Sequence, residues 1–226
     1  LKNIIIATSR KWNEWIKYDL EKKFDGEYNF HLITQKSELS EERLNELKPE
    51  FVFIPHWSFI IPSSIHQNHD CVIFHMTDLP YGRGGSPLQN LIVRGHKETK
   101  VSAIKCVEEL DGGDIYLKKD LSLSGTAQDI FERMSTVIFD MIVEMLETSP
   151  VPQKQVGDIT SFQRRKPHQS SLSEVTSLEQ CYDYIRMLDA EGYPKAYLNN
   201  ENLNFEFYQV SKEDGVLNAR VRIQEK

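Results

Sequence analysis

Cys71-Val72-Ile73-Phe74-His75-Met76-Thr77-Asp78-Leu79-Pro80-Tyr81-Gly82-Arg83-Gly84-Gly85-Ser86-Pro87-Leu88-Gln89-Asn90 is the stretch on which the fold turns. An apolar run ends on His75, a glycine-rich loop follows, and Ser86-Pro87 starts a helix. Serine is expected at the N-cap, proline at the first helical position, and Gln89 closing a capping box. Strand, loop and helix in this order are the building unit of an alternating α/β fold.

The same alternation extends upstream. Ile4 to Ala7 is a short apolar run that suits a strand covered on both faces. Residues 11–24 carry Trp12, Trp15, Ile16, Leu20 and Phe24 at helical spacing, and Tyr28 to Ile33 reads as the second strand. A short helix capped by Ser37 or Ser40 follows, then a third strand at Phe51 to Pro55. Downstream, Val101–Val107 and Ile115–Lys118 are further strands, and residues 127–147 form a long amphipathic helix. The pattern predicts a Rossmann-like, doubly wound, mostly parallel sheet with ligand crevices at the carboxyl ends of its strands. We expect a catalytic domain over 1–150, a linker over 151–177, and a small C-terminal α+β subdomain over 178–226. That subdomain has a helix at 178–188 and a terminal antiparallel hairpin or small sheet.

Net charge is −7 at pH 7, which argues against a nonspecific grip on nucleic acid. The three cysteines Cys71, Cys106 and Cys181 form no C-x-x-C pair. Neither a disulfide framework nor a zinc ribbon is expected, and a reducing, cytoplasmic setting is. His66-x-x-His69-Asp70 lacks a third well-spaced ligand, so no metal is expected. Asn3 to Ala7 is too short for a signal peptide or a membrane span, and no membrane partner is expected.

The candidate chemistry lies at two strand ends. A histidine ending a buried strand is ordinarily a satisfied core residue, and a D-G-G turn is ordinarily just a turn. Here His75 and Asp111 (in Leu110-Asp111-Gly112-Gly113) arrive on two loops, an imidazole and a carboxylate suited to acid–base work in acyl transfer. Gly82-x-Gly84-Gly85 allows close backbone approach to a flat ligand, and the helix opening at Pro87 aims free N–H groups into the same space. Ser9, Arg10 and Lys11 follow the first strand, and His56 and Trp57 follow the third, where an open sheet exposes its crevice. Arg164-Arg165-Lys166 could meet phosphates or simply solvate a linker, and Arg186 with Asp189 could pair within a helix.

Phe53-Ile54-Pro55, His75-x-x-x-Leu79-Pro80, Arg83-Gly84-Gly85-Ser86-Pro87 and Leu110-Asp111-Gly112-Gly113, in this order and spacing, resemble the folate-dependent formyltransferases. The segment from His75 to Leu91, with Tyr184–Pro194, looks most like the enzymes that formylate an amino group on a nucleotide-linked sugar. The resemblance implies transfer of a formyl group from 10-formyltetrahydrofolate to the primary amine of a UDP-linked 4-amino-4,6-dideoxy sugar. His75 and Asp111 would be catalytic. Arg83, Gly84, Gly85, Pro87, Asn90, His56, Trp57, Ser9, Arg10 and Lys11 would bind substrate or donor. A sugar nucleotide is the expected partner, with no nucleic acid, and a homodimer is implied. The rivals are methionyl-tRNA formyltransferase, a peptide-synthetase-type formylation domain, and a catalytically silent folate- or nucleotide-binding protein. One departure stands out: the family pattern is Asn-x-His, and Ile73 occupies the asparagine position. Asn90, Thr77, His56 or a backbone N–H would have to supply the missing oxyanion donor.

Overall fold

The computed structural model describes residues 1–226. In chain order the elements are β1 (Lys2–Thr8), α1 (Trp15–Lys23), β2 (Tyr28–Ile33), α2 (Glu41–Leu47), β3 (Phe51–His56), α3 (Ser63–His66) and β4 (Cys71–His75). They continue with β5 (Arg83–Gly84), α4 (Pro87–Val93), β6 (Glu98–Lys105), β7 (Ile115–Ser122), α5 (Ala127–Thr148) and β8 (Ser161–Phe162). The last are α6 (Leu178–Arg186), β9 (Ala196–Asn199), β10 (Leu203–Glu213) and β11 (Val216–Glu225). The chain divides into two compact units: Leu1–Arg83, Lys100–Leu121 and Glu132–Ser161 make one, and Gly84–Thr99, Ser122–Phe131 and Phe162–Lys226 the other.

The first unit is built on a six-stranded sheet of order β2-β1-β3-β4-β6-β7. The pairs β1–β2, β1–β3 and β3–β4 are parallel, and β6 runs antiparallel to β4. This is the expected mostly parallel α/β architecture. Its central strands are buried along nearly their whole length, Ile4 to Thr8 on β1 and Val52 to Pro55 on β3. Unbroken runs of Ile, Val and Phe are what burial on two faces requires, and each such side chain stabilises the fold by roughly 1.5–3 kcal/mol.

Local departures from expectation have local causes. The helix expected over 11–24 splits into a 3-10 turn at Lys11–Asn13 and α1. Asn13 is buried there, donating to Thr8 Oγ1 at 3.3 Å and accepting from Ser135 Oγ. Ser40, rather than Ser37, caps α2, accepting from the Arg43 N–H at 3.3 Å. β6 begins three residues before the expected Val101, and ends at Lys105, whose N–H closes the following loop on the Asp114 carbonyl at 2.9 Å.

The second unit carries a three-stranded sheet of order β11-β10-β9, antiparallel throughout, with α4 and α6. Ser177 caps α6, accepting from the Gln180 N–H. The expected capping box at Ser86 does not form. Ser86 sits in the left-handed region (φ 51°), its hydroxyl accepts from the Arg165 N–H, and Gln89 donates to the Met187 carbonyl at 3.0 Å. The Arg186–Asp189 pair is absent too. The helix stops at Arg186, whose Nε donates to Asp183 at 2.6 Å while Nη1 reaches the carbonyls of Leu123 and Gly125. Asp189 instead pairs with Lys195 at 2.9 Å. The 151–177 segment, read as a linker, contains β8 and a 3-10 turn at Pro167–Ser170.

Candidate active site

In the first unit the parallel pairing of β3 with β4 sets Ile54 opposite Ile73. Alternation puts Ile54 and His56 on one face of β3 and Ile73 and His75 on one face of β4. These side chains line a cleft of about 610 Å³ with Leu110 and Asp111 from the loop after β6. The lip is apolar: Ile60 is 90% exposed, Leu110 69%, and Phe59 and Val107 are exposed beside them.

His75 and Asp111 meet on the cleft wall, as the sequence suggested. His75 Nδ1 lies 3.5 Å from Asp111 Oδ2, and both residues are buried. His75 Nε2 lies 2.8 Å from the Gly82 carbonyl. A carbonyl only accepts, so Nε2 carries a proton in this arrangement. Thr77 Oγ1 donates to the same carbonyl at 3.4 Å, and Ser102 donates to the Thr77 carbonyl at 2.7 Å. The strand end is therefore hydrogen-bonded into the sheet before any substrate arrives.

The loop carrying Asp111 is tightly constrained. Asp111 adopts φ 52°, in the left-handed region. A Cβ at Gly113 would meet the Lys105 carbonyl oxygen at 1.7 Å, so the backbone passes where only glycine fits. Arg83, buried, donates through Nη1 to Glu109 Oε1 at 2.5 Å. Its Nε and Nη2 both donate to Gln155 Oε1, at 3.1 and 2.8 Å. Gln155 Nε2 in turn donates to the carbonyls of Asp111 and Gly113, each at 2.8 Å. No periodicity or motif marked Gln155 in the sequence, because a bridging amide leaves no pattern there.

His56 also faces the cleft, and Ser9 and Arg10 gather at its back. Ser9 N–H donates to the His56 carbonyl at 2.9 Å, and Arg10 Nε approaches His56 Nε2 at 3.5 Å. Trp12 stands edge-on to the imidazole with ring centroids 6.1 Å apart. Burial, reinforced by the Arg10 guanidinium, pushes the His56 pKa down to about 4. Trp57 lines the cleft, and Lys11 is exposed.

Gly84, Gly85, Pro87 and Asn90 belong to the second unit. There the glycines are needed for their own chain: a Cβ at Gly84 would meet the Phe162 carbonyl oxygen at 2.5 Å, and one at Gly85 the Arg164 Cβ at 2.7 Å. Asn90 Nδ2 donates to the carbonyls of Gly85, Ser86 and Gln163. Asn90 thus fastens the loop, and Thr77 is bonded to Gly82. Of the side chains proposed to replace the family's asparagine, His56 is the one that lines the cleft with Ile73 and His75. No group of three or more His, Cys, Asp or Glu side chains is arranged to hold a metal ion. No helix is long and apolar enough to cross a membrane.

Residues 20–146 match the family model described as formyl transferase, and residues 167–224 that of the methionyl-tRNA formyltransferase C-terminal domain. The chain belongs to the formyl transferase family. A solved methionyl-tRNA formyltransferase from Clostridium thermocellum is 53% identical, with a TM-score of 0.97 and all of both chains covered. A methionyl-tRNA formyltransferase from Thermodesulfovibrio yellowstonii is 28% identical over 153 residues, covering 64% of this chain and 50% of its own. The chain spans about half the length of the curated relatives it matches. A sugar N-formyltransferase from Shewanella sp. FDAARGOS_354 superposes with a TM-score of 0.67 at 17% identity, covering 97% of this chain and 96% of that one.

These findings overturn the acceptor expected from the sequence. At 17% identity the sugar enzyme shares the formyl transferase fold alone. The full-length likeness at 53% and the match over 167–224 both lead to methionyl-tRNA formyltransferases, so the sugar-nucleotide acceptor and partner are withdrawn. The exclusion of nucleic acid falls with them. A net charge of −7 averages over the whole surface and does not report where basic residues sit. Within the tail after Pro150, residues 167–224 match that family's C-terminal domain.

Proposed function

We propose that the protein transfers a formyl group from 10-formyltetrahydrofolate to the amino group of methionyl-tRNA, making a nucleic acid its partner. The observation that carries the chemistry is the buried His75–Asp111 pair on the wall of the cleft. The acceptor is supported by the full-length likeness to a methionyl-tRNA formyltransferase.

The cleft suits the folate donor: its apolar lip can cover a flat ring, and buried polar groups lie at its floor. The amine attacks the formyl carbon, charge builds on the formyl oxygen, and as that charge collapses the C–N bond to the folate breaks and the folate nitrogen takes up a proton. His75 stabilises the oxyanion when its Nε2–H turns from the Gly82 carbonyl to the formyl oxygen. Asp111 orients the imidazole, accepts the proton lost by the amine and returns it to the folate nitrogen. No protein nucleophile takes part. Ile73 offers no hydrogen bond, and we assign the second oxyanion contact to His56.

The test is tetrahydrofolate release from 10-formyltetrahydrofolate with and without methionyl-tRNA. Release should require the charged tRNA and fall by at least about 10² in His75→Ala, with donor binding retained. Release that ignores methionyl-tRNA, or persists in His75→Ala, rules the reading out.

A further inference from the structure

Asp111 can act on His75 only if its loop keeps a backbone conformation that most residues avoid. With φ at 52°, its carbonyl is turned toward the side chain of Gln155. The orientation of that amide is fixed by chemistry. Arg83 has only donors, so the group facing it must be Oε1, and Nε2 must then face the carbonyls of Asp111 and Gly113. The same guanidinium grips Glu109, two residues before Asp111. One buried arginine is therefore tied to both ends of the turn from Glu109 to Gly113, once directly and once through Gln155.

We propose that Gln155 and Arg83 are positioning residues for the formyl transfer, holding the Asp111 loop so that its carboxylate faces His75. The proposal rests on the function proposed above. Neither side chain is among those lining the cleft. The separation of 3.5 Å between Asp111 Oδ2 and His75 Nδ1 is already beyond a close hydrogen bond, so a small loosening of the loop breaks their cooperation.

A double-mutant cycle reads the role directly. Gln155→Leu should lower kcat about tenfold while the KM for 10-formyltetrahydrofolate stays within about threefold. In an Asp111→Ala background, measured by single turnover, the same substitution should change the rate by less than about twofold, because the residue it positions is gone. Gln155→Glu keeps the acceptor for Arg83 but loses the amide donor, and should be as slow as Gln155→Leu. Hydrogen exchange gives an arm that needs no activity. The amides of Gly112, Gly113 and Asp114 should exchange at least about tenfold faster in either variant, with those of β1 unchanged. Unchanged loop exchange, full activity in both variants, or an equal tenfold loss with and without Asp111 would each overturn the proposal. A wild-type protein that transfers no formyl group would refute the function instead, and loop exchange would still decide whether Gln155 holds the turn.

Discussion

At the scale of single residues, His56 combines two roles that pull in one direction. It faces the cleft with its ring neutral, kept so by burial first and by the neighbouring Arg10 guanidinium second. Its pKa in the folded protein is about 4, below the ordinary histidine value of 6.5, so the folded state resists the proton that the unfolded chain accepts. The stability this contributes is present above about pH 6.5 and is lost as pH falls toward 4. Between pH 7 and pH 5 the loss should be about 2 kcal/mol, read as a shift in the urea midpoint. His56→Gln should flatten that interval, and a midpoint drop as large as in the wild type would show that another group carries it. The thiols of Cys71 and Cys106 are pushed by burial to about 12 and about 11, so neither titrates in this window.

At the scale of elements, the loop between β6 and β7 concentrates the constraints. Gly113→Ala would drive a methyl into the Lys105 carbonyl. Forcing the loop outward should cost about 3 kcal/mol in urea unfolding and remove most of the transfer rate. An alanine variant that unfolds at the wild-type midpoint would mean the loop moves freely there. Elements of this kind were only partly legible in the sequence. The first four strands announce themselves as apolar runs, and His75 and Asp111 as polar residues at strand ends, because burial and alternation are local signals. The left-handed Ser86 was hidden, since its cause, the Arg165 N–H, lies far along the chain. Gln155 was hidden for the same reason, and so was the close approach of Phe162 and Arg164 to Gly84 and Gly85. The acceptor was misread because the residues at the strand ends carry transfer chemistry common to the whole family and do not tell one amine from another.

At the scale of the molecule, the second unit is made of three stretches separated in sequence. Arg186 on α6 donates to carbonyls of Leu123 and Gly125, Gln89 on α4 donates to Met187, and the Leu123 N–H donates to the Lys97 carbonyl. A peptide of residues 162–226 keeps Asp183 for the buried Arg186 guanidinium but lacks the Leu123 and Gly125 carbonyls that its Nη1 needs, a costly loss in a buried site. It should show no cooperative thermal transition by circular dichroism, although it spans the whole match to a C-terminal domain. A sharp transition would mean the hairpin of β10 and β11 with β9 sustains itself.

The same interleaving bears on how the protein is made. A ribosome delivers the chain in one direction, and the first unit cannot close until Ser161 has emerged, because its last segment runs from Glu132 to Ser161. The second waits for the residues beyond Phe162, while its earliest segment, Gly84–Thr99, is made well before them. That segment holds Leu88, Leu91 and Ile92, all buried when folded and exposed until their partners arrive. Nascent chains stalled near residue 150 should thus be favoured clients for chaperones that bind apolar helices, a liability that contiguous domains avoid.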